Sequence, residues 1–177
     1  MKAFKVIKLL NGHKNQVNSV EWIESNDNIL ISSSSDKTAI IWDLNQLNEN
    51  PIKHRLIGHK DSIIISRCHQ LNENQLFSVS SSTDKSIKFW LNDKQINELI
   101  VDNFVFDLKI CKNKEIFDNI IVITVGANET IDLYEFNSNS NEIKSLIKIK
   151  GHEDWIRSVD IIATKNSINQ NCCKSFH

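Results

Sequence analysis

Ser32-Ser33-Ser34-Ser35-Asp36-Lys37-Thr38-Ala39-Ile40-Ile41-Trp42-Asp43 decides how the chain folds. A short apolar and serine-rich run ends at an acid, turns, and resumes in a stretch that closes on tryptophan. The same plan returns as VSSSTDKSIKFW at residues 79–90 and as TVGANETIDLYE at 124–135. In each copy an acid or amide stands six positions before an aromatic ring: Asp36 before Trp42, Asp84 before Trp90, Asn128 before Tyr134. A second landmark, Gly-His, occurs at residues 12–13, 58–59 and 151–152. Its spacings of 46 and then 93 residues leave room for one unit without Gly-His, and the third copy fills that gap.

Working outward, each unit holds four stretches in which β-branched and aromatic residues mix with polar ones between Asn, Asp, Gly and Ser boundaries, the pattern of short strands. The first unit reads as strands at residues 17–22, 29–33, 38–42 and 54–57. The second has 63–67, 75–80, 86–90 and 96–101, and the third 104–110, 120–125, 130–136 and 143–149. Four strands in roughly 45 residues is the size of a propeller blade, and Gly-His paired with Trp-Asp is the signature of WD repeats. Over about residues 9–161 the chain resembles the WD-repeat family. The expected fold is all-β: an incomplete WD-repeat β-propeller of three four-stranded blades plus the first strand of a fourth.

The division follows. Residues 1–10 are the outer strand of a preceding blade and 11–57 the blade with Gly-His and Trp-Asp. A second blade spans 58–101 and a degenerate third 102–149. The next blade starts at 150–162, and 163–177 form a divergent tail. Because a propeller closes with about four to eight blades, the expectation is a truncated product whose open edges lead to poor solubility or self-association.

Each complete unit supplies His, Ser, Asp and Trp: His13, Ser32, Asp36 and Trp42, then His59, Ser80, Asp84 and Trp90. Serine, histidine and aspartate suggest a hydrolase, but a constellation repeated in every unit is structural, since one exposed nucleophile beside an oxyanion hole suffices for catalysis. The family resemblance implies that these residues form a buried hydrogen-bond network. The third unit departs from it, with Asn128, Tyr134 and no Gly-His.

The 177 residues are 40% hydrophobic, enough for a core, and the formal net charge of −1 without a basic stripe argues against nucleic-acid binding. No apolar run approaches the roughly 20 residues of a membrane helix, and Met1–Lys5 does not lead into a signal-peptide core. The expected location is the cytoplasm, and also the nucleus. Cys68, Cys111, Cys172 and Cys173 read as reduced thiols. Cys172-Cys173 with His177 lacks the paired spacing of a zinc site, so neither metal nor cofactor is expected.

The string Gly151-His152-Glu153-Asp154-Trp155-Ile156-Arg157, with the order of blades before it, resembles the family of the second subunit of the Elongator complex. That resemblance implies a non-catalytic scaffold that binds the catalytic and largest subunits of a complex modifying wobble uridine in transfer RNA with 5-carboxymethyl-type side chains. The alternative is a WD-repeat interaction module of an unrelated complex. In WD-repeat proteins partners dock on the narrower face, which here implies Gln16, Asn18 and Ser35, Ser62, Ile64 and Thr83, and Trp155 with Arg157. Trp and Arg are frequent binding hot spots. The competing reading packs Trp155 between blades and leaves Arg157 solvated.

Overall fold

In the computed structural model, residues 8–23, 26–46, 49–112 and 119–161 are described. They form twelve strands in three antiparallel sheets of four. The first sheet holds β1 (Val17–Ile23), β2 (Asn26–Ser34), β3 (Thr38–Asp43) and β4 (Ile52–Ile57). The second holds β5 (Ile63–Asn72), β6 (Gln75–Ser82), β7 (Ser86–Leu91) and β8 (Lys94–Ile100). The third holds β9 (Val105–Lys112), β10 (Asn119–Gly126), β11 (Thr130–Asn137) and β12 (Glu142–Lys150). Strands are ordered as in the chain, so each sheet is a meander. Each of the twelve strands expected in the three units has a counterpart. The differences lie at the ends: β4 begins at Ile52, β5 runs on to Asn72, and Val101 and Phe104 lie just outside β8 and β9.

The sheets stack face to face. Ile23, Ile31, Ile41 and Leu56 of the first pack on Ile63, Cys68, Leu76 and Trp90 of the second. Phe77, Val79 and Phe89 of the second pack on Leu108, Ile120, Val122 and Phe136 of the third. Phe77 and Phe136 stack with ring centroids 4.1 Å apart. The first strands lie side by side at the inner end of the stack, β5 neighbouring both β1 and β9. All three share a bulge at an equivalent place, at Asn18, Ile64 and Phe106, and β1 and β5 have a second irregularity near their far ends.

Gly151–Ile161 contains no strand, although its Ile156 and Val159 are buried against Ile123, Val125 and Ile131 of the third sheet. A strand is defined by its ladder, and no second strand stands beside this segment among the described residues. The expected outer strand at 5–10 falls partly outside the described residues, and residues 8–10 are not in a strand. The tail at 163–177 lies outside them entirely. Among the described residues no helix is long and apolar enough to cross a membrane.

Gly12 and Gly58 are needed because a tryptophan closes on them. A Cβ at Gly12 would lie 2.6 Å from Cη2 of Trp42, and one at Gly58 would lie 3.1 Å from Cη2 of Trp90, whereas Gly151 meets nothing within 4 Å. Gly12→Ala should therefore destabilise the fold by about 1–3 kcal/mol through overpacking, and Gly151→Ala should leave it within about 0.5 kcal/mol. Urea unfolding midpoints of the two variants check this; equal midpoints would contradict it.

Candidate functional site

Two buried hydrogen-bond chains come first. The Trp42 indole can only donate, and its Nε1 donates to Ser32 Oγ at 2.8 Å. The Ser32 hydroxyl is then free to donate to His13 Nε2, also 2.8 Å away, which leaves His13 Nδ1 to donate to Asp36 Oδ2 at 2.9 Å. The donor-only indole thus sets the direction of the whole chain. The second sheet repeats it: Trp90 to Ser80 at 2.9 Å, Ser80 to His59 at 2.9 Å, His59 to Asp84 at 2.9 Å.

Two members are not in the sequence reading. Thr38 and Ser86 each donate to the turn aspartate at 2.6 Å, and the amides of Lys14 and Lys60 donate to it at 2.8 Å. The signal was the hydroxyl two places after each turn acid, as in Asp36-Lys37-Thr38 and Asp84-Lys85-Ser86. Each aspartate thereby fastens three things: its own turn, the strand that follows, and the Gly-His segment arriving from earlier in the chain. Lys37 and Lys85 complete the turns with left-handed backbone, φ 71° and 61°. Ser32 and Ser80 are buried and fully engaged, so neither is presented as a nucleophile.

Burial opposes the charge on Asp36 and Asp84. Hydrogen bonds from Thr38, Lys14 and His13 outweigh it at Asp36, which is held well below the usual carboxylate range; those from Ser86, Lys60 and His59 hold Asp84 at about 2. Burial lowers His59, more than the partially offsetting Asp84 raises it, so the ring is neutral as the chain direction requires.

In the third sheet, register places Val101, Thr124, Asn128 and Tyr134 where the other sheets have His, Ser, Asp and Trp. Asn128 Nδ2 donates to Thr130 Oγ1 at 2.8 Å, which donates onward to Asp132 Oδ1 at 3.0 Å. The amide reverses the bond made by Thr38 and Ser86, and the carboxylate has moved four residues along the chain. Burial, then the charge of Asp132, raises the Tyr134 phenol above its ordinary value.

The residues expected on the narrower face divide into two groups. Asn18 Nδ2 reaches Ser35 Oγ at 3.1 Å, Ser62 Oγ at 3.2 Å and the Ile63 carbonyl at 2.7 Å, and Ser62 donates to Ser35 at 2.9 Å. Thr83 donates to the Ser62 carbonyl at 3.2 Å, and the Gln16 carbonyl accepts from the Ser35 amide at 2.9 Å. The Thr83 and Gln16 bonds close turns inside their own sheets, whereas those among Asn18, Ser62, Ile63 and Ser35 stitch two sheets together. Ile64, at the bulge of β5, packs at the edge of the core between the second and third sheets. Trp155 is different: it is 56% exposed and leans on Phe106 at 5.7 Å, with the Arg157 guanidinium 5.6 Å over Trp155 and 5.9 Å over Phe106. Phe104, 38% exposed, lies nearby in the sequence with Lys85 6.0 Å over its ring. Phe104 and Phe106 are equivalent in register to Gln16 and Asn18, a correspondence hidden because the third unit has no Gly-His to count from.

A charge cluster below this face also escaped the sequence reading. Glu21, Arg67, Lys109 and Asp160 occupy the same register position after the start of their segments. Arg67 contacts Glu21 and Asp107 at 3.1 Å each, and Lys109 lies 3.9 Å from Glu21 and 3.7 Å from Asp160. Asp107 accepts from Ser158 Oγ at 2.9 Å and from the Val159 amide at 3.1 Å, which anchors the segment carrying Trp155 and Arg157. Among the described residues no group of His, Cys, Asp and Glu could hold a metal ion; Cys172, Cys173 and His177 lie outside them.

A family model described as "WD domain, G-beta repeat" matches residues 4–43 and 50–90, ending each time at the network tryptophan or one residue past it. These are WD repeats. The third blade, without Gly-His, lies outside both matches. The chain is similar to the WD40 β-propeller domain of Doa1, with TM-score 0.65 and 26% identity over 86% of this chain and 45% of that one. It is also similar to Elongator complex protein 2 of Danio rerio, at 26% identity over 90% of this chain, and of Dictyostelium discoideum, at 28% over 88%. It spans about a fifth of the length of these relatives, 20% and 21%.

Removing a turn aspartate strips four hydrogen bonds from one buried point. Asp36→Ala should cost about 2–3 kcal/mol, and Asn128→Ala in the third blade less than about 1 kcal/mol. Full stability in Asp36→Ala, by urea or thermal unfolding, would contradict the network's role. Below neutral pH the dependence has one sign. The unfolded chain takes up protons at His59 below about pH 6.5 and at the aspartates below about pH 4, before the folded chain does. Stability should be full near pH 7, begin to fall below about 6.5, and fall faster below about 4. A urea midpoint unchanged between pH 7 and 3 would refute this.

Proposed function

We propose that these blades are part of a non-catalytic scaffold subunit of the Elongator complex, which supports wobble-uridine modification of transfer RNA by binding the catalytic and largest subunits. The observation that carries the reading is the match of nearly the whole chain to proteins named Elongator complex protein 2 from several organisms. The geometry agrees with a binding role. Both Ser-His-Asp sets are consumed inside a blade, while an aromatic and arginine cluster stands on the surface at Gly151–Arg157, the string that resembles that family.

In this reading Trp155, Arg157, Phe104 and Phe106 present the contact. Trp and Arg at the centre of an interface each contribute roughly 2 kcal/mol or more. Trp155→Ala and Arg157→Ala should therefore reduce recovery of the catalytic and largest Elongator subunits in a pull-down by about tenfold or more. Undiminished recovery with both variants would remove this surface. Disrupting the gene should deplete 5-carboxymethyl-type wobble uridines in transfer RNA, and an unchanged nucleoside profile would remove the process assignment.

A further inference from the structure

The third blade lacks the histidine that fills the network's centre, and a cavity of about 270 Å³ lies there. Val101, Thr124, Asn128 and Tyr134, the four positions that correspond to His, Ser, Asp and Trp, all line it, together with Asp132 and Lys148. Asp132 is 7% exposed. One of its oxygens accepts from Thr130, while the other faces only Lys148 Nζ at 3.6 Å, beyond hydrogen-bond range, and that lysine side chain is 62% exposed.

The cavity shares Asn103 and Asn128 with a second hollow of about 360 Å³, bordered by Glu129, Glu153, Asp154 and Trp155. A buried carboxylate with an incompletely held oxygen therefore sits behind an acidic mouth flanked by an exposed indole. Charge complementarity demands a cation. The acceptors spread around the cavity, the Asp132 carboxylate, the hydroxyls of Thr124 and Tyr134 and the Asn128 carbonyl, favour a planar group with several donors over a point charge.

We propose that the hollow in the degenerate blade receives an arginine side chain carried on a basic segment of a partner protein. The guanidinium enters past Glu129 and Glu153, displaces the long Lys148 ion pair and hydrogen-bonds the Asp132 oxygen that Lys148 vacates; Trp155 covers the stem. The site does not depend on which complex the chain serves. It is separate from the stacked Trp155–Arg157 face except for the shared indole.

Titration of the purified chain with a short lysine-flanked peptide carrying one arginine tests the idea, beside the same peptide with neutral citrulline in that place. The arginine peptide should bind about tenfold or more tightly than the citrulline peptide, the usual worth of charge-assisted hydrogen bonds. Lys148→Ala should tighten arginine binding severalfold by removing the competitor. Asp132→Asn should abolish the difference between the peptides. If Asp132→Asn fails to fold, the exposed pair Glu129→Gln and Glu153→Gln should instead weaken arginine binding severalfold. Equal affinity for the two peptides, no binding of either, or weaker arginine binding in Lys148→Ala overturns the proposal.

Discussion

The hydrogen-bond chain from tryptophan through serine and histidine to the turn aspartate is the constraint from which the other features follow. It joins residues far apart in sequence: Asp36 holds the Lys14 amide across 22 positions, and Asp84 holds that of Lys60 across 24. The link between blades is thereby clamped to the blade it enters. Each polar group is buried with its partner, so the chain costs nothing in unsatisfied desolvation and tolerates few replacements. The same geometry explains Gly12 and Gly58, which admit the indole, and the left-handed lysines that follow the turn acids.

The third blade shows what remains when that constraint is relaxed. Its strands pair and its core packs as well as those of its neighbours, with Phe136 stacked on Phe77. Sheet formation therefore rests on apolar alternation and not on the network. What changes is the space between turn and link: valine replaces imidazole, the amide turns its bond around, and the carboxylate moves into the strand at Asp132. Position by position, a structural device becomes a hollow with an acid inside it.

Much of this was legible in the sequence because repetition converts weak local signals into a strong one. Twelve strands could be placed from a period and a six-residue offset, and the four network residues of two blades from the family resemblance that those repeats carry. Phe104 and Phe106 could not, because the third unit lacks the landmark that fixes their register. Asn18, Ser35 and Ser62 are expected to present side chains on one face, but their donors and acceptors turn sideways and join two blades. The inner charges Glu21, Arg67 and Lys109 follow strand period, yet their pairing depends on the first strands of three sheets lying side by side. The expected fourth-blade strand packs without forming a ladder, since hydrophobic alternation reveals burial and says nothing about a partner strand.

Native-state amide hydrogen exchange tests the central claim, that the network and not the sheet sets how tightly a blade is closed. The account predicts strong protection for the amides of Lys14, Thr38, Lys60 and Ser86, all bonded to a turn aspartate, and rapid exchange at Asn128 and Glu129 in the third turn, while the strands of all three blades stay protected. Equal protection of the three turns would contradict it.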